Sequence, residues 1–391
     1  MSALDDRAAA SAARRNDPRL LWPDLDVEAF SDARVRITSV VRDVLASVGQ
    51  ATLEAPNDDA VTLGRAAYRL GVGALLGAWI ESRRVRASHA VAELLRTHWA
   101  HGRRRQERMV ERLRFVADAL RAEGVEFVLL KGLDSARLYP AGARVFQDLD
   151  LFMPVRHSAA VELTLARLGL LPGPMRDGRR RDWTAPRAAL ESLEFVHEDN
   201  AWGVDVHHGL SRYFHLALRA DVPDPDLQSC EFVLMSGVRV FVLSPALRLA
   251  FLAVNASSSL KVLQLTHLMD IVLSARAAPS ETWGELESLL ARAGSARFAY
   301  IPFLLAQQLA PGAIPDDVLS RIAASVPDRL RRAAEGLSLW NLETAGELLR
   351  GHAFVWARGP RDVATVVWCQ SMPRVYRAWR ERRSLARGAE V

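Results

Sequence analysis

Between Val125 and Leu243 the apolar residues stop recurring at threes and fours and gather into short runs punctuated by Gly, Pro, Asn and Asp, whereas on both sides the helical spacing holds. A chain patterned this way cannot be one helical bundle or one all-β unit. It predicts an α+β fold, a small mixed sheet with helices carried between helical flanks. Glu126 to Leu130 reads as a strand that ends in the Lys131-Gly132 turn, followed by a short helical stretch up to Tyr139-Pro140. Asp148 to Pro154 reads as a second strand and His157 to Leu170 as an amphipathic helix. Leu193 to His197 and Trp202 to His208 read as a hairpin around Asp199-Asn200, and Cys230 to Met235 with Val238 to Leu243 as two strands flanking Ser236-Gly237. The stretch LPGPMRDGRRRDWTAP, rich in Pro, Gly and Arg, reads as an exposed loop over the sheet.

The flanks give the domain expectation. Residues 1–25 form a loose tail, 26–105 an N-terminal helical region, 106–243 the mixed domain and 244–391 a C-terminal helical region. Val27 to Leu53 and Val61 to Val85 carry helical spacing. A long helix spans Ser88 to Glu123, with Val91, Leu95, Met109, Leu113, Val116 and Leu120 on one stripe and Gly124 as its stop. Its basic run, His101 to Arg105, reads as a solvated face or a break at Gly102 in preference to a phosphate-binding patch. Leu247 to Val254, Val262 to Ala275 and Trp283 to Ala293 continue the helical pattern, and Arg374 to Arg387 reads as a solvated helix end.

With 391 residues, half of them hydrophobic, the chain can bury a large core. Cys230 and Cys369 are its only cysteines and lie far apart, which excludes a disulfide framework or a cysteine-based zinc site. No stretch reads as a signal peptide or a membrane span, so a reducing cytoplasm is expected. The net charge of +5 rests almost wholly on arginine, lysine occurring only at Lys131 and Lys261, a bias that suits a GC-rich bacterial genome. So mild an excess permits a nucleotide or nucleic-acid partner without requiring one.

Asp148 and Asp150 stand two residues apart at the start of a strand, and side chains alternate across a strand, so both point to one face. Apolar Leu149, Leu151 and Phe152 surround them, and acids at the border of a core need a positive compensator. Asp205, within Gly203-Val204-Asp205-Val206, supplies a third carboxylate from another strand. Three carboxylates predict oxygen ligation of Mg²⁺ or Mn²⁺, catalytic and metal-binding roles coinciding in Asp148, Asp150 and Asp205, with phosphoryl-transfer chemistry following. The Lys131-Gly132 turn, leading into a helix start, offers backbone N–H groups and one point charge to an anion. Arg144, four residues before Asp148, meets a phosphate or forms an ion pair.

VEFVLLKGLDSARLYPAGARVFQDLDLFMP, followed by WGVDVHHGL, resembles the uncharacterised nucleotidyltransferase family of the DNA polymerase beta superfamily over about residues 106 to 275. The resemblance implies that Lys131 and Gly132 take the place of the superfamily's Gly-Ser turn, and Asp148, Asp150 and Asp205 that of its metal-binding and base carboxylates. Glycine in place of serine removes a hydroxyl that often touches a phosphate. Leu265 to Asp270 resembles the helix after the catalytic sheet, where Asp270 orients a nucleotide or braces the sheet. Lys131, Gly132, Arg144 and Asp270 are thus the candidate nucleotide-binding residues. The implied reaction moves a nucleoside monophosphate from an NTP such as ATP to a hydroxyl or phosphate on a small molecule, peptide or protein, releasing pyrophosphate. Competing readings are a non-catalytic nucleotide-binding protein that keeps the fold and a tRNA-modifying enzyme, the latter opposed by the modest charge and the lack of an aromatic-interleaved basic groove. His197, His207, His208 and His215 lack zinc-site spacing, although His207 shares a face with Asp205. No Gly-x-Ser-x-Gly elbow supports a hydrolase.

Overall fold

The computed structural model describes residues 17–46, 49–54, 59–176, 179–186, 191–214, 217–340 and 353–371. Helix α1 (Val27–Leu45) starts at Asp26, whose carboxylate caps the Glu28 and Ala29 N–H groups. Strand β1 (Ala51–Leu53), α2 (Ala60–Leu70), α3 (Gly73–Glu81), β2 (Val85–Ala87) and the long α4 (His89–Ala122) follow. The helical spacing expected through Leu53 and Val85 ends early at both places, because Ala51 to Leu53 pairs in parallel with Val85 to Ala87 as a two-stranded ribbon. Helix α4 runs through Gly102 without a break. A β-carbon there would lie 2.3 Å from the Gly142 carbonyl oxygen, so the glycine serves close approach and not flexibility.

Next come β3 (Val128–Leu129), a one-turn α5 (Leu133–Ala136), β4 (Asp148–Phe152), α6 (Ser158–Arg167), β5 (Leu171–Arg176), β6 (Arg180–Thr184), β7 (Gly203–His207), a small pair β8 (Arg212–Phe214) and β9 (Leu218–Ala220), then β10 (Glu231–Met235) and β11 (Val238–Val242). The main sheet has the order β10-β11-β3-β4-β7-β6-β5. β3 and β4 are antiparallel, β4 and β7 parallel, and β7 and β6 antiparallel.

Two strand expectations are corrected here. LPGPMRDGRRRDWTAP is no loop: its Leu171 to Arg176 and Arg180 to Thr184 segments form an antiparallel pair that extends the sheet, with a register shift between Pro172 and Met175. Its prolines are tolerated because β5 is an edge strand. The hairpin around Asp199-Asn200 does not form, since both edges of β7 are taken by β4 and β6. Leu193 to His197 is instead held against the helices. Glu194 accepts from Arg65 Nη2 at 2.9 Å, and the Phe195 ring stacks on His101 with centroids 4.2 Å apart.

The C-terminal helices are α7 (Pro245–Ser258), α8 (Leu265–Ala277), α9 (Thr282–Ala293), α10 (Ala296–Leu309), α11 (Asp316–Ala324), α12 (Asp328–Glu335) and α13 (Pro360–Ser371). They share one apolar core with the N-terminal helices, in which Ile37, Leu63 and Leu75 belong with Phe251, Ile271 and Phe298. A second core lies on one face of the sheet, where Met109, Leu113, Val116 and Leu120 of α4 and Val161 and Leu165 of α6 cover Leu129, Leu149, Leu151, Val204 and Val206. Among the described residues no helix is long and apolar enough to cross a membrane. Of the tail expected over residues 1–25, residues 1–16 lie outside the described residues, as do His215 and the basic stretch Arg374 to Arg387, whereas Leu21, Trp22 and Leu25 are no loose tail but are buried in the helical core.

Candidate active site

Because Leu149, Leu151, Val204 and Val206 turn into the core under α4, alternation sends Asp148, Asp150, Asp205 and His207 to the other face of the sheet. The β4–β7 register sets Asp150 directly beside Asp205. β6 adds Asp182 opposite Asp205 and Arg180 opposite His207. Lys131, just past β3, donates from Nζ to Asp150 Oδ2 at 2.6 Å, and Arg180 Nε donates to Asp205 Oδ1 at 2.9 Å while its Nη2 contacts Oδ2. Asp150 and His207 are wholly buried and Asp205 nearly so; Asp148 is half-buried. Lys131, Asp148, Asp150, Arg180, Asp182 and Asp205 line one side of a cleft of about 670 Å³. Tyr68, Arg69, His98, Gln264 and Thr266 of the helical flanks line the other.

The electrostatics follow from crowding four acids and two cations. Burial, and next the Asp150 carboxylate, push Asp148 up to about 6. Burial opposes ionisation of Asp205 too, but the His207 imidazole and the Arg180 guanidinium reverse this and hold it well below the usual carboxylate range. Asp150 is held low against its own burial, chiefly by Lys131. The Lys131 ammonium pays a desolvation penalty that Asp150 and Asp148 outweigh, so it is raised above the ordinary lysine value.

Asp150 Oδ1, Asp205 Oδ2 and His207 Nε2 lie within 4.8 Å of one another, and none makes a well-directed hydrogen bond. Buried acids with such atoms fit a divalent cation. The geometry thus gathers Asp150 and Asp205, as expected, but brings His207 rather than Asp148 into the tightest group. A second group, His101, His197 and Glu198, resembles a metal set only in composition. His101 Nδ1 is already hydrogen-bonded to Glu198 Oε2 and Arg104 Nε donates to Oε1 at 2.6 Å, so both oxygens of that carboxylate are engaged. His208 is engaged with the Met153 carbonyl at 2.8 Å.

The nucleotide-binding candidates divide. Lys131, Gly132 and Arg144 line the cleft, and Asp270 does not. Gly132 has φ +64°, a left-handed conformation that explains glycine in that turn. The helix expected to lend it a positive N-terminus is a single turn, α5, too short to build a macrodipole. Arg144 forms the ion pair: its Nε and Nη2 each donate to Asp270 at 2.9 Å, and Tyr139 Oη donates to the same carboxylate at 2.8 Å. Asp270 is therefore placed as a brace between the turn before β4 and α8.

Two residues of the basic runs were misread in the sequence. Arg105 does not sit on a solvated face; it is 3% exposed and donates to the carbonyls of Phe146, Gln147, Glu198, Asn200 and Ala201, joining the chain entering β4 to the chain entering β7. Arg180, read as part of a loop, is the partner of Asp205. The signal for it was the alternation Arg180-Arg181-Asp182-Trp183, in which Trp183 turns to the core and Arg181 to Glu162 of α6.

His98 ties the site to acid stability. Burial lowers it to about 4, and His267 to about 4 by the same cause. A histidine whose folded value lies below its unfolded one, near 6.5, binds fewer protons when folded. Its stabilising effect is complete above pH 6.5 and is lost as pH falls toward 4. For His98 alone the loss approaches about 3 kcal/mol at 1.36 kcal/mol per unit. Urea unfolding at pH 7 and pH 4.5 should show a larger drop for wild type than for His98→Gln; equal drops would remove His98 from the account.

A model of the family described as uncharacterised nucleotidyltransferase matches residues 56–311, more than half of the chain. Searches of curated proteins and of solved structures returned no match. The matched span takes in β3, β4, β6 and β7 with Lys131, all three carboxylates and the brace at Asp270. The chain belongs to the uncharacterised nucleotidyltransferase family.

Proposed function

We propose that the protein transfers a nucleoside monophosphate from an NTP to a hydroxyl or phosphate of a small-molecule, peptide or protein acceptor. The acceptor oxygen forms a bond to the α-phosphorus, the bond from that phosphorus to the α,β-bridging oxygen breaks, and pyrophosphate leaves. The observation that carries this reading is the in-register pairing of Asp150 with Asp205 on adjacent parallel strands, buried, in a cleft that also holds Asp148, Lys131 and Arg180. Asp150 and Asp205, with the half-buried Asp148 beside them, would hold Mg²⁺ or Mn²⁺. Such an ion, when bound, offsets charge on the phosphates and on the reacting oxygens.

The chain's own residues then have separable tasks. Lys131 and Arg180 are the counter-ions of Asp150 and Asp205. Both cations line the cleft and serve the triphosphate there, Lys131 as a point charge and Arg180 as a two-pronged donor. One carboxylate takes the acceptor proton. The helical flanks wall the cleft and select the acceptor.

Calorimetric titration of each NTP with and without Mg²⁺ or Mn²⁺ tests this. Metal-dependent binding of at least one NTP is expected. Absence of binding for every nucleotide under every metal condition would sink the proposal.

A further inference from the structure

The two ring nitrogens of His207 face opposite kinds of partner. Nε2 lies 3.1 Å from Asp205 Oδ2 and 3.4 Å from Asp150 Oδ1, whereas Nδ1 lies 3.2 Å from Arg212 Nη2. Arg212 stands at the start of β8, buried, with its guanidinium over the Phe251 ring, and the His207 ring meets the same phenylalanine edge-on. A guanidinium has only donors and does not deprotonate. Arg212 therefore donates to Nδ1, and Nδ1 must keep its lone pair.

In a neutral imidazole the single proton then belongs to Nε2, between the two carboxylates. A ring nitrogen that carries hydrogen cannot ligate an ion. Metal-bound histidines show the reverse arrangement, giving their second N–H to a carboxylate, carbonyl or water.

We infer that His207 is a positioning residue and not a metal ligand: Arg212 locks its ring as the Nε2–H tautomer, and that N–H faces the Asp205 and Asp150 carboxylates. It holds the two acids together from the core side, while Lys131 and Arg180 hold Asp150 Oδ2 and Asp205 Oδ1. This rests on the metal-dependent reading proposed above and refines it. The ion is left with oxygen donors, which favours Mg²⁺ or Mn²⁺ over zinc, the ion that an imidazole ligand would favour.

Two measurements decide it. In metal-free protein carrying ¹⁵N-labelled histidine, the His207 resonances, assigned by their loss in His207→Gln, should show the proton on Nε2 and a bare Nδ1; a proton on Nδ1 overturns the inference. In Mn²⁺-loaded protein, pulsed EPR should show no directly bound imidazole nitrogen. A bound-nitrogen coupling that disappears in His207→Gln overturns it as well. Glutamine retains an N–H donor and should keep Mn²⁺ affinity within about tenfold, whereas His207→Leu should lose about 10–100-fold; equal affinities in the two variants would remove the positioning role. If wild type binds no Mn²⁺, the metal-dependent function fails instead, and the tautomer measurement still decides the state of His207.

Discussion

The double variant Asp150→Asn/Asp205→Asn should lose metal-dependent nucleotide binding and any transfer activity by at least about 10³-fold, because the charge stabilisation supplied through a bound ion amounts to several kcal/mol at 1.36 kcal/mol per factor of ten. Asparagine keeps the volume of each side chain and its place in the β4–β7 register, so the strands need not move. What it removes is the pair of charges. Lys131 and Arg180 would keep a carbonyl to donate to but lose their counter-ions, and breaking a buried ion pair costs stability of the order of 3 kcal/mol. Circular dichroism and a melting curve separate that cost from the functional loss. A variant that stays folded and still binds Mg²⁺-NTP as wild type does would remove Asp150 and Asp205 from the metal site.

Arg105→Met should destabilise the protein by at least about 3 kcal/mol, the largest stability effect expected of any single arginine here, since hydrogen bonds to a charged group are worth about 1.5–3 kcal/mol each and five carbonyls share this one. Methionine matches the stem but leaves the carbonyls of Phe146, Gln147, Glu198, Asn200 and Ala201 without their donor. Burial lowers Arg105 to about 10, still far above neutrality, so the guanidinium is charged and its loss is felt at physiological pH. Arg105→Lys should recover only part, because an ammonium has three donors and no planar fork. Chemical denaturation reads the difference. A loss below about 1 kcal/mol, the worth of one ordinary hydrogen bond, would mean that water replaces the guanidinium and that the entries to β4 and β7 are held by other contacts.

Much of the architecture was legible in local pattern. The long helix from His89 to Ala122, the strand beginning at Asp148, the β10–β11 pair and the α+β class follow from apolar period and turn residues, which act within a few residues of chain. The shared face of Asp148 and Asp150 and the emergence of Asp205 in an apolar strand were readable for the same reason: alternation in a strand is a property of the strand alone. Family resemblance covered the same residues.

What the pattern did not contain was which edges meet. The segment with Pro172 and Pro174 looked like a loop because proline disfavours a central strand; its place at the sheet edge, where a missing donor costs nothing, is fixed by β6 pairing with β7. Once β7 had β4 and β6 as neighbours, no edge remained for Leu193 to His197. Charged residues show the same division. A run of arginines reads as solvated, yet only long-range packing decides that Arg103 and Arg104 stay exposed while Arg105 finds five carbonyls. Composition and spacing determined that this chain would carry acids at the start of strands. Tertiary structure alone determined which cations compensate them, which nitrogen of His207 faces them and what braces Arg144, because burial and contacts between separate elements, up to the 126 residues that part Arg144 from Asp270, set those energies.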